Sequence, residues 1–400
     1  MLYEIIDGGV LAAQDFVAAA TAAGIKQDGV LDMVMIHSLR PAAAAATLTQ
    51  NVFRAGPTYV TREAVADGYA RTIIVNSGNA NCATGSQGMA DARRMGVLAA
   101  ELTGVAVEDT IVCSTGRIGS FLPMDKVEAG IRRLATMLTR EDPVTVAKGI
   151  LTTDTVEKIS TTRFTVGGNT VHLGGICKGA GMICPNMATM LCFITTDLAI
   201  APELLNATLQ EAVKYSFNCI SVDGDMSTND TVAILANGAA GNELLTSRSD
   251  DGYAAFAAAL QHVCRDLAQQ IVRDGEEVTK FLEIQVTGAP DYATAHELAR
   301  KLATYTLFKC ALFGGDFNWG RIAAALGSSL LPFDPTKTTI TWQGIVAWQD
   351  GEPQPFDAVT ANAAAAETDH LIVIDLAAGD ASCTYWTSDL TPGYVEYNTH

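Results

Sequence analysis

The sequence is poor in positive charge and contains no cluster of it. Lys and Arg together number 26 against 44 Asp and Glu, so the formal net charge is −18. A chain this acidic repels a phosphate backbone and the anionic surface of a membrane. No run of Lys or Arg offsets this with a local basic patch. The composition therefore predicts neither nucleic-acid binding nor attachment to a membrane.

The nine cysteines lack the spacing of a disulfide framework or a metal site. Their number is odd, they are spread along 400 residues, and no C-x-x-C occurs. Such a pattern is typical of reduced, buried thiols in a cytoplasmic protein. The first residues, MLYEIIDGG, lack the basic segment of a signal peptide, which also favours a cytoplasmic location. We expect no metal ion.

A regular membrane-spanning segment is also lacking. Eighteen uncharged residues separate Lys178 from Asp197, which is marginal for a helix that crosses a bilayer. Gly179, Gly181 and Pro185 interrupt the segment early. The segment therefore predicts buried, irregular backbone that leads into a strand.

Short apolar runs typical of strands alternate with amphipathic helical patterns, and hydrophobic residues make up 48% of the chain. This alternation predicts an α/β fold of two layers or more, with no domain boundary visible in the composition. We predict strands at 30–37, 72–76, 109–113, 282–286 and 371–376, helices at 89–103, 127–138, 205–213, 252–272 and 294–305, and hairpins at 163–173 and 340–348.

Four polar or glycine-rich clusters follow predicted strands, where α/β proteins place their sites. None contains the glycine pattern of a phosphate-binding or dinucleotide-binding loop. A single cluster of this kind is more often a tight turn than a site. The clusters are residues 76–85, 114–119, 178–191 and 221–231.

One of these clusters contains PNMATML at residues 185–191. This segment resembles the self-cleavage segment of the ornithine acetyltransferase family, whose chains cut themselves before the Thr. Six further segments resemble family segments in the same order, so the resemblance covers about residues 20 to 398. They are NSGNAN (76–81), STGRIG (114–119), TTDT (152–155), FNCISVDGDMSTNDT (217–231), DGEEVTK (274–280) and NWGRI (318–322).

The resemblance implies a layered α/β sandwich of the self-processing type, built from two associated subunits of one precursor. Cleavage between Ala188 and Thr189 would give an alpha chain, residues 1–188, and a beta chain, residues 189–400. The family assembles two alpha and two beta chains into a heterotetramer.

Thr189 would then be the nucleophile of an acyl transfer. Among the scattered histidines only His172 lies near a cluster, so a Ser-His-Asp triad is poorly supplied. An N-terminal Thr carries its own base, because its α-amine has an unperturbed pKa of about 7.7–8.0.

The resemblance assigns the oxyanion hole to Thr115 and Gly116, and a hydroxyl beside an unhindered backbone N–H suits that task. The simpler interpretation is a turn after a strand. Lys178 would bind a substrate carboxylate, unless it is a surface lysine. Glu276 would pair with the ornithine ammonium, unless it is an exposed acid at a helix end.

Thr152 and Asn398 are predicted to bind substrate on the motif match alone. The reaction implied by the family is transfer of acetyl from N2-acetylornithine to glutamate, in the cyclic pathway of arginine biosynthesis. It requires no cofactor, and it admits acetyl-CoA as a second donor.

Three alternatives stay open at the level of the sequence. The first is a self-processing amidase or aminopeptidase of related fold, with water as the acceptor. The second is an acyltransferase of specialised metabolism. The third is a non-catalytic binding protein that kept the scaffold.

The sequence departs from the family pattern near the expected site. Arg117 stands where a small apolar residue is usual, Phe317 replaces Pro, and Glu277 replaces Gly. The family usually continues several residues past Asn398 to a substrate-contacting Ser or Thr, which is lacking here. We expect these departures to bear on substrate choice.

Overall fold

The computed structural model describes residues 2–140, 142–184 and 190–399, which form two compact units. The residues on either side of the predicted cleavage point, Ala188 and Thr189, lie outside the described ranges. Unit 1 comprises Met1–Gly179, Asn186–Ser216 and Met226–Ile271, and unit 2 comprises Ala180–Pro185, Phe217–Asp225 and Val272–His400.

Strands and helices alternate along most of the described chain, as predicted. The strands are β1 (Glu4–Ile5), β2 (Phe16–Thr21), β3 (Met33–Ser38), β4 (Ala43–Leu48), β5 (Thr72–Asn79), β6 (Thr110–Arg117), β7 (Lys158–Val166), β8 (Asn169–Lys178), β9 (Leu191–Thr196), β10 (Ile220–Ser221), β11 (Thr231–Ala236), β12 (Phe281–Ala289), β13 (Thr339–Trp342), β14 (Ile345–Gln349), β15 (Glu352–Pro353), β16 (Asp369–Asp375) and β17 (Ala381–Ser388). The α-helices are α1 (Gly56–Ala64), α2 (Gly85–Thr103), α3 (Met124–Met137), α4 (Pro143–Gly149), α5 (Pro202–Lys214), α6 (Tyr253–Arg273), α7 (Tyr292–Ala303), α8 (Thr306–Gly314), α9 (Trp319–Gly327), α10 (Ala358–Ala365) and α11 (Pro392–Tyr397).

Unit 1 contains two sheets that pack face to face. One sheet has the order β2-β3-β5-β6 and the other β1-β7-β8-β9-β11-β4. In β5, Ile73 and Val75 enter the core between the sheets, whereas Ile74 points to the opposite face. This alternation is the two-residue period of a strand buried on both faces, and it explains why these strands are almost wholly apolar.

Helices cover the outer faces of both sheets in unit 1. The apolar face of α2, with Met95 and Leu98, packs with Val127 and Ile131 of α3 against the smaller sheet. On the larger sheet, the Cys177 thiol contacts the backbone of Leu267 in α6. Unit 1 is therefore a layered α/β sandwich, which confirms the predicted fold class.

Unit 2 contains one seven-stranded sheet of order β10-β17-β12-β16-β13-β14-β15. Helix α7 packs on β12 and β17. An aromatic cluster forms part of the core, in which Phe317 stacks on Trp342 with ring centroids 4.8 Å apart. Phe308 and His370 meet the same Trp342 ring edge-on.

The strongly periodic elements were predicted correctly, but two alanine-rich strands were not. The sequence analysis assigned no element to 43–48, which forms β4, or to 16–21, which forms β2. Alanine favours helices in isolation. Here Ala18, Ala20 and Ala44 lie in the core between the two sheets, where small side chains allow close packing.

Strands from both sides of the predicted cleavage point belong to the same sheet of unit 1. Strand β8, from the predicted alpha chain, pairs with β9 of the predicted beta chain, with Cys177 opposite Cys192. Strand β11 in turn pairs with β4. One sheet thus combines strands from both sides of the cleavage point, while the division into two chains stays a prediction.

The cysteines are free thiols, as predicted, and all but Cys310 are buried. Across the described residues, no helix combines the length and apolar character needed to cross a membrane. The uncharged segment after Lys178 has no regular structure as far as Cys184 and continues as β9 from Leu191. This agrees with the predicted irregular segment followed by a strand.

Candidate active site

Of the predicted site residues within the described ranges, four belong to unit 1 and two to unit 2. The nucleophile, Thr189, is outside these ranges. The structure brings the remaining ones together in pairs or small clusters. Unit 1 holds Thr115, Gly116, Thr152 and Lys178, and unit 2 holds Glu276 and Asn398.

Thr115 and Gly116 are part of strand β6, not of a turn after it. The sequence placed the end of the strand at residue 113, but the pairing with β5 continues, with Thr115 opposite Ser77 and Gly116 opposite Gly78. The register then shifts at Asn79, which is the signature of a bulge. The bulge is a local distortion that hydrophobic periodicity cannot reveal.

Gly116 is the residue that the bulge requires. Its φ is +132°, a conformation that side chains disfavour, and a Cβ there would lie 2.3 Å from the carbonyl carbon of Gly78. Gly116 is exposed, whereas the neighbouring Thr115 is 2% exposed. The strand end thus presents an unhindered peptide beside a buried hydroxyl, as an oxyanion hole needs.

Asn229 fixes this end of β6 from the side. Its amide nitrogen donates to the carbonyls of Ser114 at 2.8 Å and Ala80 at 2.6 Å. Asn229 is buried and lies in the segment 217–231 that carried part of the family resemblance. The sequence analysis did not single it out, because an Asn in a polar loop gives no signal of a long-range partner.

Lys178 is a buried residue and not a surface lysine. It ends strand β8, is 2% exposed, and its Nζ lies 3.7 Å from Oδ2 of Asp154. Within the described part of the chain, no acceptor forms a hydrogen bond with this Nζ. Asp154 is a residue that sequence reasoning missed, although it lies in the quoted TTDT segment.

Asp154 organises the cluster around Lys178. Its oxygens accept the backbone N–H of Thr152 at 3.0 Å, that of Gly179 at 2.6 Å, and Lys158 Nζ at 2.8 Å. Burial alone would raise the pKa of Asp154, but Lys178, Lys158 and these hydrogen bonds outweigh it and hold the pKa well below its ordinary value. Thr152 and Lys178 were predicted separately, and both interact with the ionised carboxylate of Asp154.

The side chain of Lys26 lies close to the Asp154 cluster and to the paired ends of β5 and β6. Its side chain crosses Gly78, where a Cβ would lie 2.7 Å from Lys26 Cγ, and its Nζ donates to the carbonyls of Leu31 and Leu151. Burial and the charge of Lys178 lower the pKa of Lys26 to about 8, against opposing effects of Asp32 and Asp154. This second cation was not predicted from the sequence.

In unit 2 the structure brings Glu276 and Asn398 together. The Asn398 amide donates to Glu276 Oε2 at 3.0 Å, and the Glu276 N–H donates to the carbonyl of Ala180. A Cβ on Gly181 would lie 2.3 Å from the Glu276 carboxylate, so any other residue at 181 would require the Glu276 side chain to move. Glu276 is half-buried and partnered, not merely exposed at a helix end.

The departures from the family pattern have different structural settings. Glu277 has a φ of +56°, a left-handed conformation that explains why glycine is usual there. Phe317 belongs to the aromatic core described above and therefore contributes to packing. Arg117 is exposed beside Gly116.

None of the described residues form a group of three or more His, Cys, Asp or Glu that could hold a metal ion. The arrangement in unit 1 is instead a backbone donor, a buried hydroxyl and buried ammonium groups. This combination suits an anionic substrate whose reaction develops negative charge on oxygen.

Comparisons with known proteins show which family the chain resembles over most of its length. The ArgJ family model matches residues 17–400. The arginine biosynthesis bifunctional protein ArgJ of Symbiobacterium thermophilum is 45% identical over 397 residues, which cover 99% of this chain and 98% of that protein. The ArgJ of Geobacter sulfurreducens is 43% identical, with coverage of 95% and 97%.

A crystal structure of ArgJ from Bacillus halodurans is 40% identical and covers 47% of this chain and 100% of that chain, with a TM-score of 0.44. The family match and the full-length relatives together settle the assignment: this chain belongs to the ArgJ family.

Proposed function

We propose that this member of the ArgJ family carries the acetyl group on Thr189 and binds its substrates through Lys178, Thr152, Glu276 and Asn398. The activity is that of a glutamate N-acetyltransferase, which transfers acetyl from N2-acetylornithine to glutamate in arginine biosynthesis. Acetyl-CoA is a second donor in our proposal, and no bound cofactor takes part.

One observation carries the assignment of the substrate site. Lys178 is a buried ammonium with no hydrogen-bond acceptor among the described residues, and its nearest carboxylate is engaged more closely by Lys158. Buried charges need partners because desolvation is costly. N2-acetylornithine and glutamate share an α-carboxylate beside the reacting nitrogen, and we propose that this carboxylate is the hydrogen-bond acceptor of Lys178.

The reaction follows from these groups. The Thr189 hydroxyl attacks the acetyl carbonyl while the α-amine accepts its proton, and the oxyanion is held by Thr115 and the Gly116 N–H. The bond from carbon to the ornithine nitrogen then breaks, and that nitrogen takes the proton. Glutamate repeats the steps in reverse order, and its amine receives the acetyl group.

The ornithine side chain ends in an ammonium, for which we propose Glu276 as the partner. Its carboxylate already accepts the Asn398 amide, whose carbonyl oxygen remains a further acceptor. When glutamate replaces ornithine, the Asn398 amide is a donor for the second carboxylate.

We also propose that the cut chains stay together in a cytoplasmic heterotetramer of two alpha and two beta chains. The six-stranded sheet supports the first part of this proposal. It pairs β8 with β9 and β11 with β4, so backbone hydrogen bonds join residues from both sides of the cleavage point.

Steady-state kinetics with labelled N2-acetylornithine test the proposal. We expect label in N-acetylglutamate and parallel lines in double-reciprocal plots, because ornithine leaves before glutamate reacts. Lys178→Met should raise KM for both substrates, whereas Lys337→Met, at an exposed position, should leave KM unchanged. Label released only as acetate would support the amidase alternative, and intersecting lines would contradict an acetylated enzyme.

A further inference from the structure

The sulfur atoms of Cys219 and Cys383 lie in contact inside unit 2, with 4.0 Å between the two Sγ atoms. Cys219 ends a short 3-10 helix, Phe217–Cys219, directly before β10, and Cys383 lies in β17, which pairs with β10. The two residues are 1% and 4% exposed. The proposed acetyl transfer uses neither thiol, so their proximity needs a separate explanation.

Two side chains of helix α7 lie against Cys219. Tyr292 and His296 are four residues apart and therefore share one face of the helix. The Tyr292 hydroxyl oxygen is 3.5 Å from Cys219 Sγ, and His296 Nε2 is 2.9 Å from the carbonyl oxygen of Asn218. Because Asn218 directly precedes Cys219, this second contact holds the imidazole beside the thiol.

These neighbours favour the thiolate form of Cys219. The hydrogen bond with Cys383, helped by His296 and Tyr292, lowers the pKa of Cys219 to about 5 against the effect of burial. The same contact raises the pKa of Cys383, so Cys383 keeps its proton. Burial opposes the charged form of His296, but the hydrogen bond to Cys219 outweighs it and the pKa of His296 is raised. Cys219 is therefore the nucleophile of the pair, because a thiolate attacks and a thiol does not.

A second pair of neighbouring cysteines shows that proximity alone does not produce this character. Cys177 and Cys192 lie opposite each other on β8 and β9 and are 0% exposed. Burial raises the pKa of both thiols. A buried thiol that keeps its proton reacts poorly with oxidants. The Cys219 pair differs from it in having a phenol and an imidazole beside one sulfur.

The cover over Cys219 and Cys383 decides which oxidants can reach them. Tyr292 and His296 are half-buried and therefore reach the surface, whereas the thiols beneath them are almost fully covered. A bulky oxidant such as the disulfide of glutathione needs an exposed sulfur. Hydrogen peroxide is close to water in size and carries no charge. A small peroxide is therefore the class of oxidant that suits this site.

We propose that Cys219 and Cys383 are a redox-active pair that a small peroxide converts to an intramolecular disulfide. The inference goes beyond acetyl transfer and does not depend on self-cleavage, because both cysteines follow the predicted cleavage point. They would belong to the same chain before and after processing.

The reaction has two steps and needs only the peroxide. The Cys219 sulfur attacks one oxygen of hydrogen peroxide, the O–O bond breaks, and the leaving hydroxide takes the proton that Cys219 had released. The sulfur is thereby oxidised by two electrons to a sulfenic acid, and the peroxide is reduced to water. The Cys383 sulfur then attacks Cys219, the S–O bond breaks, and the hydroxyl leaves with the Cys383 proton as a second water.

The fold leaves Cys219 able to make the movement that the second step requires. The two sulfurs must approach each other by about 2 Å to form a bond. Strand β17, which carries Cys383, is held between β10 and β12, whereas β10 is a two-residue strand at the edge of the sheet. Cys219 precedes this edge strand and is therefore the more easily displaced of the two.

Peptide mass spectrometry of the wild type tests the proposal. The reduced protein is treated with hydrogen peroxide, and its remaining thiols are alkylated under denaturing conditions. We expect a disulfide between Cys219 and Cys383 that a dithiol reductant removes, while Cys177 and Cys192 are recovered alkylated. Cys219 recovered alkylated when the exposed Cys310 is oxidised would overturn the proposal. Equal oxidation of the Cys177 pair would also overturn it, because the neighbours of Cys219 would then confer nothing.

Two variants separate the steps of the reaction. Cys383→Ser keeps a hydroxyl donor beside Cys219 but cannot form the disulfide, so dimedone, which reacts with sulfenic acids, should label Cys219 after peroxide treatment. Cys219→Ser should leave Cys383 unlabelled. Cys310→Ser, at an exposed position of α8 in the same unit, is the matched control and should form the disulfide as the wild type does. Equal labelling of Cys383 in Cys219→Ser would contradict the assignment of Cys219 as the nucleophile.

Discussion

Two buried carboxylates in unit 1, Asp154 and Asp230, lie in environments that shift their pKa values in opposite directions. Asp154 accepts two backbone N–H groups and a lysine, with a second lysine at 3.7 Å, and its pKa is lowered. The side chain of Asp230 accepts the N–H of Met190 at Oδ1, its Oδ2 has no hydrogen-bond partner among the described residues, and burial raises its pKa. The lysines beside Asp154 stabilise its charged form, whereas burial disfavours the charged form of Asp230.

The largest effect is expected from removing the negative charge of Asp154. Asp154→Asn leaves the buried Lys178 and Lys158 without their shared carboxylate, and breaking a buried ion pair costs about 3–5 kcal/mol. We expect a clear drop in Tm and loss of measurable acetyl transfer. Asp357→Asn is the control, because Asp357 is exposed and its hydrogen bond to Thr360 can be kept by Asn. Equal Tm values for the two variants would show that Asp154 holds no buried charge cluster.

The sign of the pH dependence also differs between the two acids. Because the pKa of Asp154 is lowered, its contribution to stability is present above pH of about 4 and is lost as the pH falls further. The loss of this contribution in Asp154→Asn should therefore be largest at neutral pH and vanish in strong acid. Thermal melting of both proteins from about pH 8 down to about pH 2 would check this, because the contribution is lost below about pH 4.

Thr115→Ala removes a hydroxyl donor and leaves the charges of Asp154 and Asp230 in place. We expect kcat to fall by roughly 10²–10³, as for the loss of one oxyanion donor, with a smaller change in KM. Steady-state kinetics measure both constants, and Thr110→Ala, another buried threonine of β6, is the control for packing. A change confined to KM would make Thr115 a ground-state binding residue.

Asp230→Asn in a Thr189→Ala background isolates the effect of the buried Asp230 charge on stability. This background should stay one chain, so self-cleavage does not affect the comparison. Because the pKa of Asp230 is raised, its cost to stability grows as the pH rises above about 4. We expect Asn to raise Tm by a few degrees at pH 8 and little at pH 4. A lower Tm at pH 8 would show that the carboxylate is already paired in the uncut chain.

The smallest effect is expected from the loss of the Lys26 charge. Its pKa of about 8 means that its charge is lost as the pH rises through that value, and any contribution of this charge to binding an anionic substrate would be lost with it. We expect KM for glutamate to rise a few-fold above pH 8 in the wild type. In Lys26→Met this rise should be absent and KM should be higher at pH 7. An identical pH profile for both proteins would contradict a role of Lys26 in binding.

The sequence predicted the α/β fold and the elements with strong periodicity, such as α3 and β12. Its motifs also singled out Thr115, Gly116 and Lys178, whose roles stay predictions. It could not show Asp154, because an acid in a TTDT loop acquires its role only when Lys158 and Lys178 of the β7–β8 hairpin are brought beside it. Long-range burial of this kind leaves no local pattern.

The alanine-rich strands and the bulge at Gly116 were missed for related reasons. The propensity of alanine is overridden at β4 by packing between two sheets. The bulge depends on the register of β6 against Gly78, which a single strand cannot reveal. Both features are set by tertiary contacts.

The proposed mechanism requires that Thr189 carries the acetyl group as a covalent intermediate. Incubating the wild type with N2-acetylornithine alone and measuring the fragments by denaturing mass spectrometry tests this. The fragment that begins at Thr189 should gain one acetyl group, and adding glutamate should remove it with formation of N-acetylglutamate. An active protein with no acetylated fragment, or one in which Thr189→Ala is still active, would contradict the account.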